Sequence, residues 1–299
     1  MSLPEGNPRI PEGINAHNDN PLREFLVLAI GVSAALVFAV AALSLSIHLL
    51  APCIPFAWEA RALPQDGLPL GPTSPDARED AVAALGASLL ESSLALPIEG
   101  EPPAQRVPPA YFHFHLVDMD APNAFATLGA NIAVTLPLLN SVDSENGLAM
   151  VLAHEIAHVQ LRHPIEAAGR GVVVQIALAA LLGRNANSLW GSSLGAGGLF
   201  TLLSFNREME LAADRRALAI LRQHYGHTAG ADGFFRAIDD GPGQWAEFTR
   251  THPSSERRIA LIREAMAGDS ADAHTRPLPE ALRSATPAAD PGDGEPALQ

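Results

Sequence analysis

The segment His154-Glu155-Ile156-Ala157-His158 puts two imidazoles and a carboxylate within five consecutive positions. On a helix, positions i and i+4 share a face, so His154 and His158 can reach one ion. Glu155 lies one position on from His154, beside the same ion. It can take a proton from water without filling a coordination position. Zinc in such a place is a Lewis acid and lowers the pKa of water to about 7. The apolar flanks, Gly147 to Leu152 before and Val159 to Leu161 after, keep one side of the helix apolar, and a buried helix holds ligands rigidly. The pattern is short, and chance yields it in about one chain in forty of this composition. The plain alternative is a core helix with two incidental histidines.

A catalytic zinc site needs one more His or carboxylate ligand and an open position. The stretch Asn206 to Asp214 offers it. Glu210 and Asp214 are four apart on an expected helix and face the same way. Glu210 can bind zinc while Asp214 accepts the free N–H of a ligand histidine, which fixes tautomer and ring orientation. Glu208 is turned roughly 160° from Glu210, so the two cannot both face the metal. The alternative is a solvated charged helix. His113 and His115 share one face of an expected strand. With no evident carboxylate partner, they read as core or hydrogen-bonded histidines. His163 reads as the end of the zinc helix, near its negative pole.

These residues need a frame. Residues 76–96 carry Val82, Leu85, Leu89 and Leu96 at helical spacing. Residues 97–109 hold five prolines and exclude regular structure. Tyr111–Asp118 and Asn131–Leu136 read as strands. The motif helix spans 143–163, capped by Ser141, Asp143 or Ser144 and stopped near Pro164. Residues 205–224, 231–239 and 254–267 read as further helices. Residues 172–204 are apolar and Gly-rich and read as a buried hairpin helix, with membrane-surface contact as the alternative.

From Phe25 to Ala51 no charged residue occurs. That run exceeds the roughly 20 residues that cross a bilayer core and reads as one membrane anchor. Arg9 and Arg23 precede it and Arg61 follows, so the positive-inside rule slightly favours a cytoplasmic amino terminus. The expected organisation is a flexible arm (1–24), a transmembrane anchor (25–51), a linker (52–75), a metallopeptidase domain (76–267) and a disordered acidic tail (268–299). The formal net charge of −14, with no Lys/Arg patch, argues against a nucleic-acid partner. A single cysteine, Cys53, excludes an intramolecular disulfide and a thiolate zinc site.

Four pieces occur in order: Pro122-Asn123-Ala124-Phe125-Ala126 with Gly129 and Ile132–Thr135; the motif helix extended by Arg162-His163; Arg207-x-x-Glu210-x-x-x-Asp214; and Thr251-His252-Pro253-Ser254-Ser255 with Arg258 and Ile259. Together they resemble the membrane-associated gluzincin metallopeptidases, the group of the HtpX heat-shock proteases and the CAAX prenyl proteases. The resemblance covers residues 76–265. It implies one Zn2+ per chain on His154, His158 and Glu210, with Glu155 as general base and Asp214 behind the ligands. It implies that His252 stabilises an oxyanion. It also implies that Asn123, Ala124, Phe125, Ile132 and Val134 belong to a strand edge that binds an extended polypeptide through main-chain hydrogen bonds. The expected fold is α+β: a mainly helical zincin-like metalloprotease domain with a small antiparallel sheet, preceded by one transmembrane helix. Gly129-Ala130-Asn131 departs from the family's glycine pair. The single span is similar to singly anchored bacterial members, which implies an inner-membrane protein with a periplasmic catalytic body acting on unfolded or misassembled envelope proteins. A non-catalytic, zinc-containing client-binding module is the competing class, as is a zinc hydrolase acting on a small molecule or modified terminus.

Overall fold

The fold is that of a computed structural model, which describes residues 20–61, 76–98, 106–182, 205–240 and 243–283. The amino-terminal helix α1 (Pro21–Leu50) starts at Asn20, whose side chain accepts from the Leu22 and Arg23 amides. Its 30 residues reach about 45 Å, more than a bilayer core. None of its residues is buried, and Phe25, Leu28, Ile30, Val37 and Phe38 lie exposed. An apolar helix with no buried residue suits lipid rather than water. Among the described residues it is the one helix long and apolar enough to cross a membrane.

After α1 the chain turns into the short helix α2 (Phe56–Arg61). Phe56 and Glu59 are buried in it, so this part of the expected linker belongs to the folded body. Helix α3 (Arg78–Leu94) follows, then β1 (His113–Val117), β2 (Ala124–Ala126) and β3 (Asn131–Thr135). The sheet order is β1-β3-β2. Strand β1 runs parallel to β3 and β2 antiparallel to it. The sheet is therefore mixed, where an antiparallel one was expected. The reason is connectivity: β2 returns on β3 through a tight turn, whereas β1 has no hairpin to β3.

The turn between β2 and β3 needs left-handed backbone at Gly129 (φ 75°) and Ala130 (φ 59°). Glycine adopts that conformation freely and alanine does not. Helix α4 (Leu136–Ser141) leads into α5 (Glu145–Gln160), the centre of the body. Every residue from Asn146 to Gln160 is buried. Of the three expected caps, Ser144 is the one used, its hydroxyl accepting from the Gly147 amide. The helix breaks at Leu161-Arg162, and Pro164 sits in the first turn of α6 (His163–Leu182), where a missing N–H costs nothing.

Helix α6 packs on α1; a Cβ on Gly169 would lie 2.6 Å from Ile47 Cγ2. The first part of the expected 172–204 hairpin thus continues a helix set beside the anchor, and residues 183–204 lie outside the described residues. Helix α7 (Arg207–Tyr225) is capped by Asn206 and ended by Gly226 (φ 83°). It packs against α5, and its Leu211, Leu218 and Ile220 are buried. Helices α8 (Gly233–Asp240), α9 (Ala246–Thr251) and α10 (Glu256–Ala267) complete the body.

Residues 268–283 are not a disordered tail. The Arg276 amide donates to Asn146 Oδ1 at 2.7 Å, its carbonyl accepts from the Glu145 amide at 3.1 Å, and Leu282 is 2% exposed. The composition of the segment is polar, but its backbone satisfies the open end of α5. Residues 284–299 lie outside the described residues.

Candidate metal centre

Helix α5 carries His154 and His158 one turn apart, and α7 carries Glu210 and Asp214. The two helices cross face to face, which brings the four side chains together. His154 Nε2 and His158 Nε2 are 3.0 Å apart. Glu210 Oε2 lies 3.4 Å from His154 Nε2, and Glu210 Oε1 lies 3.4 Å from His158 Nε2. Ligands about 2.0–2.1 Å from a tetrahedral ion sit about 3.3 Å from one another. The two nitrogens stand slightly inside that spacing, and Glu210 meets it with a different oxygen at each imidazole. His252 joins them, so that one ligand atom from each of the four residues falls within 4.8 Å of the others.

His252 lies at the carboxyl end of α9. Its Nδ1 is 3.2 Å from Glu210 Oε1 and its Nε2 is 3.2 Å from the Ala124 carbonyl. It can donate a hydrogen bond to a bound oxygen or give a fourth nitrogen to a cation. The residues fit a divalent ion in charge as well. Glu155, Glu210 and Asp214 are wholly buried, and the guanidinium of Arg258 is the positive charge set against them. A divalent cation would balance the two remaining negative charges, which burial otherwise makes costly.

The neighbours set the protonation of each candidate ligand. Asp214 Oδ1 lies 3.0 Å from His154 Nδ1. Arg258 grips Asp214 through Nε at 2.6 Å and Nη2 at 2.9 Å, and reaches Glu210 Oε2 at 2.6 Å. Burial pushes the Glu210 carboxyl up, but His252, His154 and His158 outweigh it and hold the group well below the usual carboxylate range. Burial pushes His158 well down, and so keeps it neutral. Burial would lower His154 too, but Asp214 and Glu210 push it up to about 9. A metal must displace that proton.

His163 Nδ1 lies 2.8 Å from His158 Nδ1. Burial lowers His163 to about 3, so its ring is neutral, with one nitrogen that donates and one that accepts. With His163 Nδ1 as the acceptor, His158 carries its proton on Nδ1 and has Nε2 free for an ion. Sequence reasoning assigned His163 to the helix dipole and gave Arg258 no role. The adjacency of His163 to the motif and the His-Pro-Ser-Ser-x-x-Arg spacing were the available signals. Phe205 was missed outright; its ring stacks on His158 with centroids 3.9 Å apart.

Glu155 is fully buried beside the candidate ligands, and the Ala126 backbone N–H points at its carboxyl. Burial raises its pKa, offset in part by His252, whose Nε2 is 3.7 Å away, and by His154. A carboxyl shifted upward is a stronger base than an ordinary one.

The edge of the sheet faces this centre. Asn123, Phe125 and Thr127 turn their main-chain groups toward β3, so Ala124 and Ala126 turn theirs outward. The Ala124 carbonyl accordingly meets His252. Ile132 and Val134 sit in the central strand, paired on both sides. They support the edge and offer it no free main-chain groups, unlike the expectation that grouped them with it. Asn123 is buried, and its side-chain amide has no hydrogen-bond partner. Beside His154 and Glu155 lies a cavity of about 20 Å³, walled by Phe234, Phe235 and Phe248, which has room for one water.

Two facing histidines on a buried helix, a distant helical carboxylate and an adjacent buried base define a metallopeptidase-type centre. The sequence profile of peptidase family M48 matches residues 100–266, and the chain belongs to that family. It is 35% identical to the mitochondrial metalloendopeptidase OMA1 of Schizosaccharomyces pombe, an alignment covering 51% of this chain and 46% of that protein. It is 31% identical to the beta-barrel assembly-enhancing protease of Yersinia pestis, over 51% of this chain and 34% of that protein. The Escherichia coli K12 protease of the same name is 30% identical with the same coverage. The chain thus spans less than half the length of these relatives.

Proposed function

We propose that this chain is a membrane-anchored zinc endopeptidase that cuts unfolded or misassembled envelope proteins. One observation carries the reading: His154, His158 and Glu210 converge with one ligand atom each within 4.8 Å of the others, and the buried Glu155 carboxyl stands beside them. Zinc suits a nitrogen-and-carboxylate donor set, and when bound it supplies the Lewis acidity that polarises a peptide carbonyl.

The chain's own residues do the rest. Glu155 takes the proton of the attacking water and passes it to the leaving amine. Asp214 and His163 keep the two ligand imidazoles in the tautomer that turns Nε2 to the ion. His252 donates to the developing oxyanion. The outward Ala124 N–H and Ala126 carbonyl, with the unpaired Asn123 amide, bind an extended peptide with little demand on its side chains. The unburied α1 supports anchoring, and the excess of arginine before it supports a periplasmic body in a bacterial inner membrane. The names of two relatives, a metalloendopeptidase and a beta-barrel assembly-enhancing protease, support the same class of substrate.

The test is Glu155→Gln in the full chain. Casein cleavage should fall by about 10²–10⁴-fold, the size of a lost general base, with zinc content unchanged. Cleavage by the variant at the wild-type rate would refute the mechanism. Internal cuts in product mapping separate an endopeptidase from a hydrolase of small molecules or modified termini.

A further inference from the structure

Two non-glycine residues among those described have left-handed backbone, Ala130 and Arg162. Ala130 lies in the β2–β3 turn. Arg162 lies just past the end of α5, between the ligand His158 and its partner His163. The two sites are far apart in sequence and meet at one buried side chain. Glu59 of α2, 3% exposed, accepts from the Gly129 amide through Oε1 at 3.3 Å. Its Oε2 pairs with Arg162 Nη1 at 2.9 Å.

Helix α2 adds further ties. Arg162 Nη2 donates to the Ile54 carbonyl at 2.8 Å, and its guanidinium lies over the Phe56 ring, 5.1 Å from the centroid. A Cβ on Gly129 would lie 3.4 Å from Ala60 Cα, so α2 backs directly onto the turn. Strained backbone persists only where the surroundings hold it. Here the holder is a helix that begins at Phe56, just after α1 ends at Leu50, and lies outside the matched family region of 100–266.

The turn in question sets the position of the edge strand. The Thr127 amide donates to the Asn131 carbonyl at 2.8 Å. A shift there slides Ala124 and Ala126 past His252 and Glu155. We propose that Glu59 is a positioning residue for peptide hydrolysis. It clamps the β2–β3 turn to the end of α5, so that the segment emerging from the membrane is part of the peptide-binding machinery. This rests on the proposed endopeptidase function and adds to it a coupling between anchor and substrate edge. Because the edge binds substrate main chain in ground state and transition state alike, its loss raises KM and spares kcat. A merely structural role would lower the active fraction, and hence kcat, at constant KM.

The test uses the full chain in detergent micelles, with an unstructured peptide long enough to lie along β2. Glu59→Ala should raise KM about tenfold, the equivalent of one charge-assisted hydrogen bond, with kcat within about threefold and zinc content unchanged. Glu59→Gln keeps an acceptor for the Gly129 amide and should recover most of the KM. The paired variant Glu59→Met/Arg162→Met buries no unpaired ion, so it should fold and keep the KM defect. Hydrogen exchange at the Gly129 and Thr127 amides should quicken in Glu59→Ala, with α7 unaffected. A wild-type KM in Glu59→Ala, a loss confined to kcat, or unchanged exchange at those amides would overturn the proposal. A wild-type chain that cleaves no peptide removes the proposed function itself, and the exchange measurement then decides the clamp alone.

Discussion

Replacing Asp214 by Asn should weaken zinc binding without emptying the site of its ligands. Asp214 is not one of the proposed ligands. It stands 3.0 Å from His154 Nδ1 and accepts two bonds from Arg258, at 2.6 and 2.9 Å. Burial pushes its carboxyl up, but His154 and Arg258 outweigh burial and hold it below the usual range. At neutral pH it is therefore an anion that only accepts. An asparagine offers one oxygen and one NH2, and the NH2 must point at an Arg258 N–H or at the His154 Nδ1–H. Either choice sets donor against donor. Losing such an outer partner weakens a metal about 10–100-fold, or about 1.4–2.7 kcal/mol. Arg258 keeps Glu210 at 2.6 Å, so its charge is not abandoned. The loss should therefore depend on metal. With zinc in excess of both dissociation constants, the Asn variant should lose that same free energy of unfolding relative to wild type. In chelator the two should lie closer together. Competitive chelator titration gives the affinities, and denaturant unfolding with and without chelator gives the stabilities. An Asn variant that binds zinc as tightly as wild type would refute the geometry. So would a stability loss of equal size in chelator and in zinc.

Two further outcomes concern the body around the site. A Cβ on Gly86 would lie 2.5 to 2.7 Å from the Phe114 ring, so Gly86→Ala should lower stability by about 1 kcal/mol, overpacking outweighing the gain in helix propensity; a stabilised variant in denaturant unfolding would mean that the ring swings away freely. Asp269 accepts from the Thr228 amide at 2.6 Å and hydroxyl at 2.7 Å. Burial raises its pKa, but these bonds and Arg222 lower it overall. Its stabilisation is thus present above the ordinary carboxylate pKa of about 3.9 and is lost as pH falls through the lower folded value. Asp269→Asn should have a lower Tm at neutral pH, and the two melting curves should converge in acid; a constant gap down to acid would contradict this.

The sequence by itself determined the chemistry and most of the helices. His154, Glu155 and His158 are bound to one helical turn, so their shared face follows from helical geometry alone. The same holds for Glu210 with Asp214 on α7, and for the uncharged run that becomes α1. Periodicity also placed α3, α5, α7 and α10 within a few residues of their ends. Only the tertiary structure decided which distant groups meet. That Arg258 bridges Glu210 and Asp214, that His252 reaches Glu210 and Ala124, and that His163 turns back onto His158 depend on how α7, α9 and α10 pack around α5. Strand order was equally hidden, because a five-residue strand carries no record of its neighbour, and so β3 emerged as the centre and β2 as the edge. Polar composition concealed the ordered segment 268–283 and the helix 56–61. Their partners, Asn146 on α5 and Arg162 past its end, lie far along the chain, and a local window contains no trace of a contact made at that distance.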